Sequence, residues 1–544
     1  MQILSKKLAV SSTAVLALVL SACGGGGTPS SPPDRSAEGP ETAETLTIAI
    51  ASDEGTLTPF TNQTGYPGNN LVKMIFDPLA IVQGDEVIGL LAEEIQTEDN
   101  QTFTLPLRSG VTWHDGQEFT ADDVVFSVDF YRENAEGDSA IDVSAIEEVS
   151  ADGNTVTMVL DAPDPEFPRM ILADMAIIPR HLWEGVTKVS EAGTELAVGT
   201  GPYMLAKYDN ARGYTLEANT DYALGEPKVD TLEIAIIPEE STQFAALRTG
   251  EIDMSTRIVP PQQLEALQEQ QDIGIVEGTE YASTLLLFNN GQPPFDQPEV
   301  RLALTKAIDT QDLVDTALLS SGTPGSPGFI HPKSAMAAGN TAPMYDVAAA
   351  NAELDALGAE PGPDDVRVLD GEPMSYELLV QSTSTDRLRS AELIREMLSE
   401  VGVEVKVTSM DSDSLDAKVW PDYDVAQGRN YDMSMWGWSA PVMLSSGLIA
   451  QLLYSEPAEG PLNVAGYSDP DTDKALDALT SEATLDGRID AAADLQANIA
   501  EQAPWVTLYY RNGAYAYRSD TYGGWTWQDG KSALHSFSFV DYDL

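Results

Sequence analysis

Four histidines, His114, His181, His331 and His535, are the side chains of this 544-residue chain that titrate nearest neutral pH and most often bind metals. They lie far apart and share no motif, and neither a Gly-x-Ser-x-Gly elbow nor a His-Glu-x-x-His pair is present. His114 belongs to Trp113-His114-Asp115-Gly116, a tight turn with no second ligand at metal spacing, so a structural histidine is expected there. Asp469-Pro470-Asp471-Thr472-Asp473 opens like a calcium loop, but Lys474 stands where glycine is needed and Thr480 where a bidentate glutamate belongs. Those carboxylates are expected to cap a helix starting near Asp473. No enzyme activity, metal or cofactor is expected from these patterns. Recognition is better served, by Trp436-Gly437-Trp438-Ser439. Rings flanking a glycine let a ligand backbone approach closely while the indoles offer rigid apolar surface. Alternation puts Trp436 and Trp438 on one face, which suits a cleft or a core equally.

The elements that would carry such a site alternate between strand and helix. Gly199-Thr200-Gly201-Pro202-Tyr203 reads as a hinge or crossover, with permissive glycines and a fixed proline φ. A strand over 232–237 follows, stopped by Pro238. Next comes a helix capped by Ser241 or Thr242, with Phe244, Ala245 and Leu247 on its apolar face and Gly250 at its end, then a short strand at 252–254. Leu46–Ile50 is a first strand, Thr102–Arg108 another, and Thr120 caps a helix beginning at Ala121. Tyr281–Asn290 reads as a strand. Leu388, Ala391, Ile394, Leu398 and Val401 mark an amphipathic helix leading to a strand over 403–407. A helix over 491–500 and a strand over 504–510 close the pattern, which implies α/β layers.

Length allows two or three domains with an ample core. Lys6 and Lys7, the apolar run Leu8–Leu20 and Leu20-Ser21-Ala22-Cys23 form a signal segment of the lipoprotein kind, with Cys23 as the acylated residue. Cys23 is the one cysteine, so no internal disulfide can form. Residues 24–45, rich in Gly, Ser and Pro, read as a flexible tether. With 29 basic against 87 acidic residues the formal charge is −58, a poor match for nucleic acid or anionic lipid. That excess suits high ionic strength, and stability is expected to rise with added salt.

Three motifs in order, Gly199-Thr-Gly-Pro-Tyr203, Glu217-Ala-Asn219-Thr-Asp221-Tyr222 and Phe244-Ala-Ala-Leu247-Arg-Thr-Gly250-Glu251-Ile252-Asp253, resemble extracytoplasmic solute-binding proteins of the oligopeptide/dipeptide/nickel class. The string Pro293-Pro294-Phe295…Val300-Arg301…Ala307-Ile308-Asp309 and the Trp113-His114-Asp115-Gly116…Thr120-Ala121 stretch extend the resemblance, which runs from about Leu46 to the C-terminus. It implies a two-lobed, periplasmic-binding-protein-like (Venus flytrap) α/β fold in its three-domain variant with a discontinuous first lobe. The first lobe would comprise 46–80, 198–286 and 507–544, with an inserted domain at 81–197 and the second lobe at 287–506. Crossings at Gly199, Asn289 and Tyr509 would form the hinge.

The resemblance further implies a lipid-anchored protein on the outer face of the cell membrane, expected to be monomeric. It would capture a peptide or similar small solute and deliver it to ABC permease and ATPase subunits. It places Trp436, Gly437, Trp438 and Ser439 along the cleft, with Asn289, Asn290, Tyr509 and Tyr510 as further contributors. Trp525 and Trp527 could face the ligand or close the edge of the lobe. Peptide-binding members carry an aspartate shortly after this Gly-Trp to pair with the ligand α-amino group. Here that position is Pro441, and no carboxylate follows before Glu456, so either another acid serves or the ligand lacks an ordinary free amine. A surface hydrolase, or a peptide receptor or chaperone of the same fold, are the competing functions.

Overall fold

The computed structural model describes residues 39–61, 66–83, 86–134, 141–339 and 344–542. The signal segment, Cys23 and most of the tether lie outside the described residues.

Eleven strands make one sheet. Its order is Glu404–Met410, Ser375–Gln381, Met433–Trp436, Ile273–Phe288, Trp505–Arg518, Met254–Ser255, Ala43–Ile50, Val229–Ile236, Gly213–Ala218 and Tyr203–Asp209, with Gly322–Pro324 attached to Trp505–Arg518. The first strand begins at Ala43, pairing with Val229, so the tether ends earlier than residue 45. Its pairing with Val229–Ile236 is parallel and puts Leu46 beside Leu232 and Ile48 beside Ile234, all buried. A strand packed on both faces favours such near-continuous apolar runs. Helix Glu240–Thr249 follows, ending at Gly250 with φ +74°, a left-handed cap that glycine takes without steric cost. Its N-cap is Glu239 rather than Ser241 or Thr242, because the strand stops at Ile236 and the chain turns at once.

The other half of the sheet repeats the logic. Ser375–Gln381 and Glu404–Met410 are parallel, bridged by helix Thr385–Ser399, which buries Ala391, Ile394 and Leu398 as their spacing requires. Helix Pro470–Ser481 starts three residues ahead of the expected position. Asp469 caps it by accepting from the Thr472 N–H at 2.8 Å, and Pro470 supplies the preset φ of the first turn.

Two long antiparallel strands, Ile273–Phe288 and Trp505–Arg518, run side by side through both halves. In Ile273–Phe288, Leu286 and Phe288 enter one apolar cluster, and Leu285 and Leu287 enter the cluster on the opposite face. Trp505–Arg518 would alternate likewise, but a register shift places Thr507 opposite Leu285 and Tyr509 opposite Thr284. The extra residue lets Leu508 and Tyr509 join one cluster while Tyr510 joins the other.

The described residues from Ala80 to 197 add no strand to this sheet. They form the hairpin Ala80–Gln83/Glu86–Gly89 and a three-stranded sheet of Thr102–Pro106, Thr155–Leu160 and Ile146–Asp152. Helix Ala121–Glu133 begins where Asp123 accepts from the Thr120 N–H at 2.9 Å and from the Arg180 N–H at 3.0 Å. No helix among the described residues is long and apolar enough to cross a membrane.

Candidate functional site

A cavity of about 460 Å³ opens where the two long strands pass between the halves. That volume falls in the range typical of small-ligand sites, roughly 300–1,000 Å³. It is lined by helix Gly68–Ile75, by 169–174 and 527–536, by Glu280 and Ala282 of the strand Ile273–Phe288, and by Ser439, Ala440 and Leu444. The 527–536 segment is fastened to that strand, the Gly530 N–H donating to the Thr279 carbonyl at 3.3 Å.

Glu280 reaches the cavity through an irregularity in the ladder. Thr279 pairs with Asn512 and Ser283 with Tyr510, so three residues face one. Tyr281, in the middle, has φ +52°, a region costly for a side-chain-bearing residue. The bulge turns Tyr281 into the apolar cluster against His331, with ring centroids 4.6 Å apart, and leaves Glu280 and Ala282 on the cavity side. Burial raises the Glu280 carboxyl above its ordinary pKa, partly offset by the Arg511 guanidinium. Among the described residues no hydrogen bond or ion pair reaches its carboxylate.

Part of the cavity wall is cationic. Lys73, Arg169 and Lys531 line it together with Asp174, which pairs with Lys73. Asn70 holds the turn in place by donating to the carbonyls of Lys531 (3.0 Å) and Leu534 (2.7 Å). Burial pushes Lys531 down to about 7, with Lys73 and Arg169 acting in the same direction and Asp174 against it. His535, also on this wall, is driven down to about 4 by burial and bonds the Thr526 carbonyl through Nε2, so it is neutral at physiological pH. Asp77, which also lines the cavity, is raised to about 7 by burial although Thr200 (3.0 Å) and Tyr222 (3.1 Å) donate to it.

Of the residues expected to bind ligand, Ser439 lines the cavity. Trp436 and Trp438 are half-buried against the second-lobe core, 6.2 Å apart, with Trp420 6.1 Å from Trp438. Gly437 is glycine because a Cβ there would lie 2.2 Å from the Ser283 carbonyl and 2.6 Å from Arg387. The close approach is to this chain's own strand. Pro441 falls in helix Ala440–Leu444, which Ser439 precedes as N-cap. Asn289 and Asn290 are buried, their side-chain amides donating to the carbonyls of Tyr431 (2.9 Å) and of Ala465 (3.1 Å) and Pro504 (3.0 Å). Tyr509 and Tyr510 are fully buried on opposite faces; the Tyr510 hydroxyl donates to the Phe329 carbonyl at 2.6 Å, and that of Tyr509 lies 3.2 Å from Ser390. These four hold the second lobe to the long strands. The two C-terminal tryptophans divide the alternatives: Trp525 is buried against Phe539, and Trp527 lines the cavity. The Trp527 indole lies over Gly278 and Gly513, which face each other across the ladder, and its Nε1 donates to Asp529 at 2.9 Å.

The Gly199 crossing sits elsewhere. A Cβ at Gly199 or Gly201 would collide with the Ile75 carbonyl. The same loop is clasped by His114, whose Nδ1 accepts from the Gly199 N–H (3.2 Å) and whose Nε2 meets the Gly201 carbonyl (2.9 Å). Gly199, Gly201 and Pro202 thus lie in a loop packed on helix Gly68–Ile75 and held by the 113–116 turn. His114 is structural, as its turn implied. His331 lies between Tyr281 and Tyr510, and His181 pairs with Asp115 at 2.7 Å. No cluster of three metal-ligating side chains occurs among the described residues.

Sequence reading missed Lys73, Arg169, Asp174, Glu280 and Lys531. One signal was available: in a chain with 29 cations against 87 acids, Lys73 stands out inside the otherwise apolar Leu71-Val72-Lys73-Met74-Ile75-Phe76.

Away from the cavity the inserted region meets the second half again. Arg488, almost wholly buried, bonds the Ser446 hydroxyl at 3.0 Å and pairs with Asp164 (3.3 Å) and Glu166 (3.6 Å). Glu166 also accepts from the Ser446 hydroxyl at 2.8 Å, and Asn100 bonds the Ala483 carbonyl at 2.5 Å.

Comparison with known proteins places these features. Residues 86–460 match the family described as bacterial extracellular solute-binding proteins, family 5 Middle. The oligopeptide-binding protein AppA of Bacillus subtilis is 25% identical over 516 residues, covering 92% of each chain. The glutathione-binding protein GsiB of Salmonella typhimurium is 26% identical over 518 residues, covering 92% of this chain and 95% of the other. Among solved structures, the ABC transporter substrate-binding protein CtaP of Listeria monocytogenes superimposes with a TM-score of 0.78 at 22% identity, over 92% of this chain and 99% of that one. AppA of Bacillus subtilis in complex with a nonapeptide gives 0.70 at 23% identity, over the same shares.

Proposed function

We propose, from the premise that this chain belongs to the bacterial extracellular solute-binding proteins of family 5, that the solute it carries is a short peptide or a peptide-like molecule. The chain is the substrate-binding component of an ABC importer, extracytoplasmic and two-lobed in fold. In this reading the solute occupies the cavity between the long strands, the 169–174 and 527–536 wall and Ser439, and it leaves unchanged for the permease subunits. The observation that carries it is the cavity itself, large enough for a small ligand and walled by both halves of the sheet. Closure of the halves on the solute would supply the state the permease recognises.

The same reading takes the segments 46–80, 198–286 and 507–544 as the first lobe, with 81–197 inserted in it and 287–506 as the second. Cys23 carries the lipid that keeps the protein, as a monomer, at the outer face of the membrane; the support is the charged, apolar and small-residue order of Lys6 to Cys23. Trp436 and Trp438 enter as flanking surface that the solute reaches once Ser439 and Ala440 are in contact with it.

The test is a thermal-shift and calorimetric screen with di- to nonapeptides, oligosaccharides and metal chelates, run beside chromatography of the recovered ligand. Saturable binding of peptides with the ligand recovered intact is the expected outcome. Cleavage of the ligand, or binding confined to the non-peptide probes, overturns the reading.

A further inference from the structure

We infer that the inserted region works as a latch on the cavity: the clasp of Asn100, Asp164 and Glu166 with Ser446, Ala483 and Arg488 holds the lobes shut, and its release sets how fast the solute leaves. The inference rests on the lobe assignment above, in which 81–197 belongs to the first lobe and Ser446 to Arg488 to the second. It adds residues that govern affinity without touching the solute.

The clasp lies just outside the cavity. None of its members lines the space, but the segments running from them do. The Met170 N–H donates to the Glu166 carbonyl at 2.9 Å, and Met170 lines the cavity with Arg169 and Ala173. On the other side, Ser446 follows Leu444, which lines the cavity with Ala440. The Glu166 carboxylate accepts from the Ser446 hydroxyl at 2.8 Å and from its N–H at 3.2 Å, so the two lining segments are tied together at their ends.

Each face of the clasp is built on its own lobe. On the inserted side the Asp164 N–H donates to the Asn100 carbonyl at 2.7 Å, and the Glu166 N–H to the Asp164 carboxylate at 2.9 Å. On the second-lobe side Arg488 Nε donates to the Glu482 carbonyl at 2.8 Å and Nη1 to the Ser446 hydroxyl at 3.0 Å. Side chains carry what crosses between the faces: the Asn100 amide to the Ala483 carbonyl, Arg488 to Asp164 and Glu166, and Glu166 to Ser446. Among the described residues no backbone-to-backbone hydrogen bond joins 81–197 to 287–506. Neither apolar cluster of the second lobe takes a side chain from the inserted region.

A joint of this composition parts and re-forms readily. Domains of one chain move relative to each other unless the interface between them is large and hydrophobic. Buried ion pairs also give back much of their attraction as desolvation, so a charged clasp fixes geometry while holding with modest strength. Opening returns Arg488 and Glu166 to water, where each is stable alone. Removing one member therefore penalises the closed state, lowers its fraction and weakens apparent binding in proportion. A bound solute that keeps the lobes together confines such a variant to the closed state, where the missing partner is felt as lost stability.

The test measures, on the full chain, trialanine release by stopped-flow tryptophan fluorescence, with Trp527 reporting from the cavity, and the ligand-free envelope by small-angle X-ray scattering. The variants are Arg488→Gln and Asn100→Gly; glycine suits the φ of +53° at position 100, so the second keeps its turn even where the first fails to fold. Each folded variant is expected to release trialanine about tenfold faster than wild type and to scatter as a wider particle when empty. A side chain that only supports the fold lowers the urea midpoint and moves neither reading. Unchanged release from folded variants overturns the inference and leaves the peptide reading standing. Failure of the wild-type protein to bind any peptide overturns the peptide reading, and scattering, which needs no ligand, then decides the clasp: wider variants support it and identical profiles overturn it.

Discussion

The described residues bury charged side chains in two places, and the fold treats them in opposite ways. At the clasp, Arg488 is satisfied by Ser446, Asp164 and Glu166, and Glu166 by Ser446 in turn. At the cavity, Glu280 and Lys531 face open space without partners among the described residues. The fold can hold buried charges in a closed network when nothing else is to be bound there. Where it leaves them without a hydrogen bond or ion pair, it accepts a desolvation penalty that shows as Lys531 pushed down to about 7 and Glu280 raised.

That contrast can be broken most sharply at the clasp. Arg488→Ala strands Glu166 in a buried site, and loss of one partner of a buried pair costs about 3–5 kcal/mol. Urea unfolding should show a loss of that order, while Arg488→Met combined with Glu166→Leu should recover most of it. Seating the Trp527 indole is the next largest effect. Gly513→Val places side-chain atoms where a Cβ alone would already lie 2.5 Å from the ring, and overpacking of this kind costs about 1–3 kcal/mol. Its thermal midpoint should fall and peptide affinity with it.

The cavity charges make the opposite prediction for stability. Lys531→Met should raise the thermal midpoint of the ligand-free protein modestly while weakening binding, because it removes an unpaired cation that the fold gains nothing by burying. A lower midpoint in that variant would mean that Lys531 is structural and the contrast false.

Protonation gives the finest test. The Asp77 carboxyl is raised to about 7, so the folded protein holds a proton there that the unfolded chain has lost. This contribution is present at pH 5 and disappears as pH rises through about 7. Lys531, depressed to about 7 amid Lys73, Arg169, Asp174 and His535, acts in the next window: the unfolded chain holds the extra proton, so stability is regained from about pH 7 toward 10. Stability against pH should therefore dip near neutrality, and Asp77→Asn should flatten the acidic arm alone.

Much of this architecture could be read from residue order. Apolar alternation found the strands read at 46–50, 232–237 and 504–510, and 3.6-residue spacing found helix Thr385–Ser399 with its buried face. Gly250 ended its helix where a left-handed residue was required. The site was less legible. Trp436-Gly437-Trp438 lies at its border, because the glycine that suggested close ligand approach answers to the Ser283 carbonyl instead. At Gly199, read as a hinge or crossover, the structure shows a close approach to Ile75, which sequence cannot tell from freedom to move. Glu280 was hidden by its bulge: simple alternation gives no sign that three residues will face one. Lys73, Arg169 and Lys531 meet only through tertiary packing, at sequence separations no local pattern spans.

The three-against-one stretch at 280–282 lies on a strand that both lobes share, where the hydrogen-bonded ladder is already interrupted and bending costs the fewest bonds. Whatever tugs on the Glu280 side chain therefore pulls on the backbone about which the lobes would swing. Were the lobes to swing there, sensing and movement would be a single mechanical event, and a solute that failed to grip the lever would leave the jaws unturned.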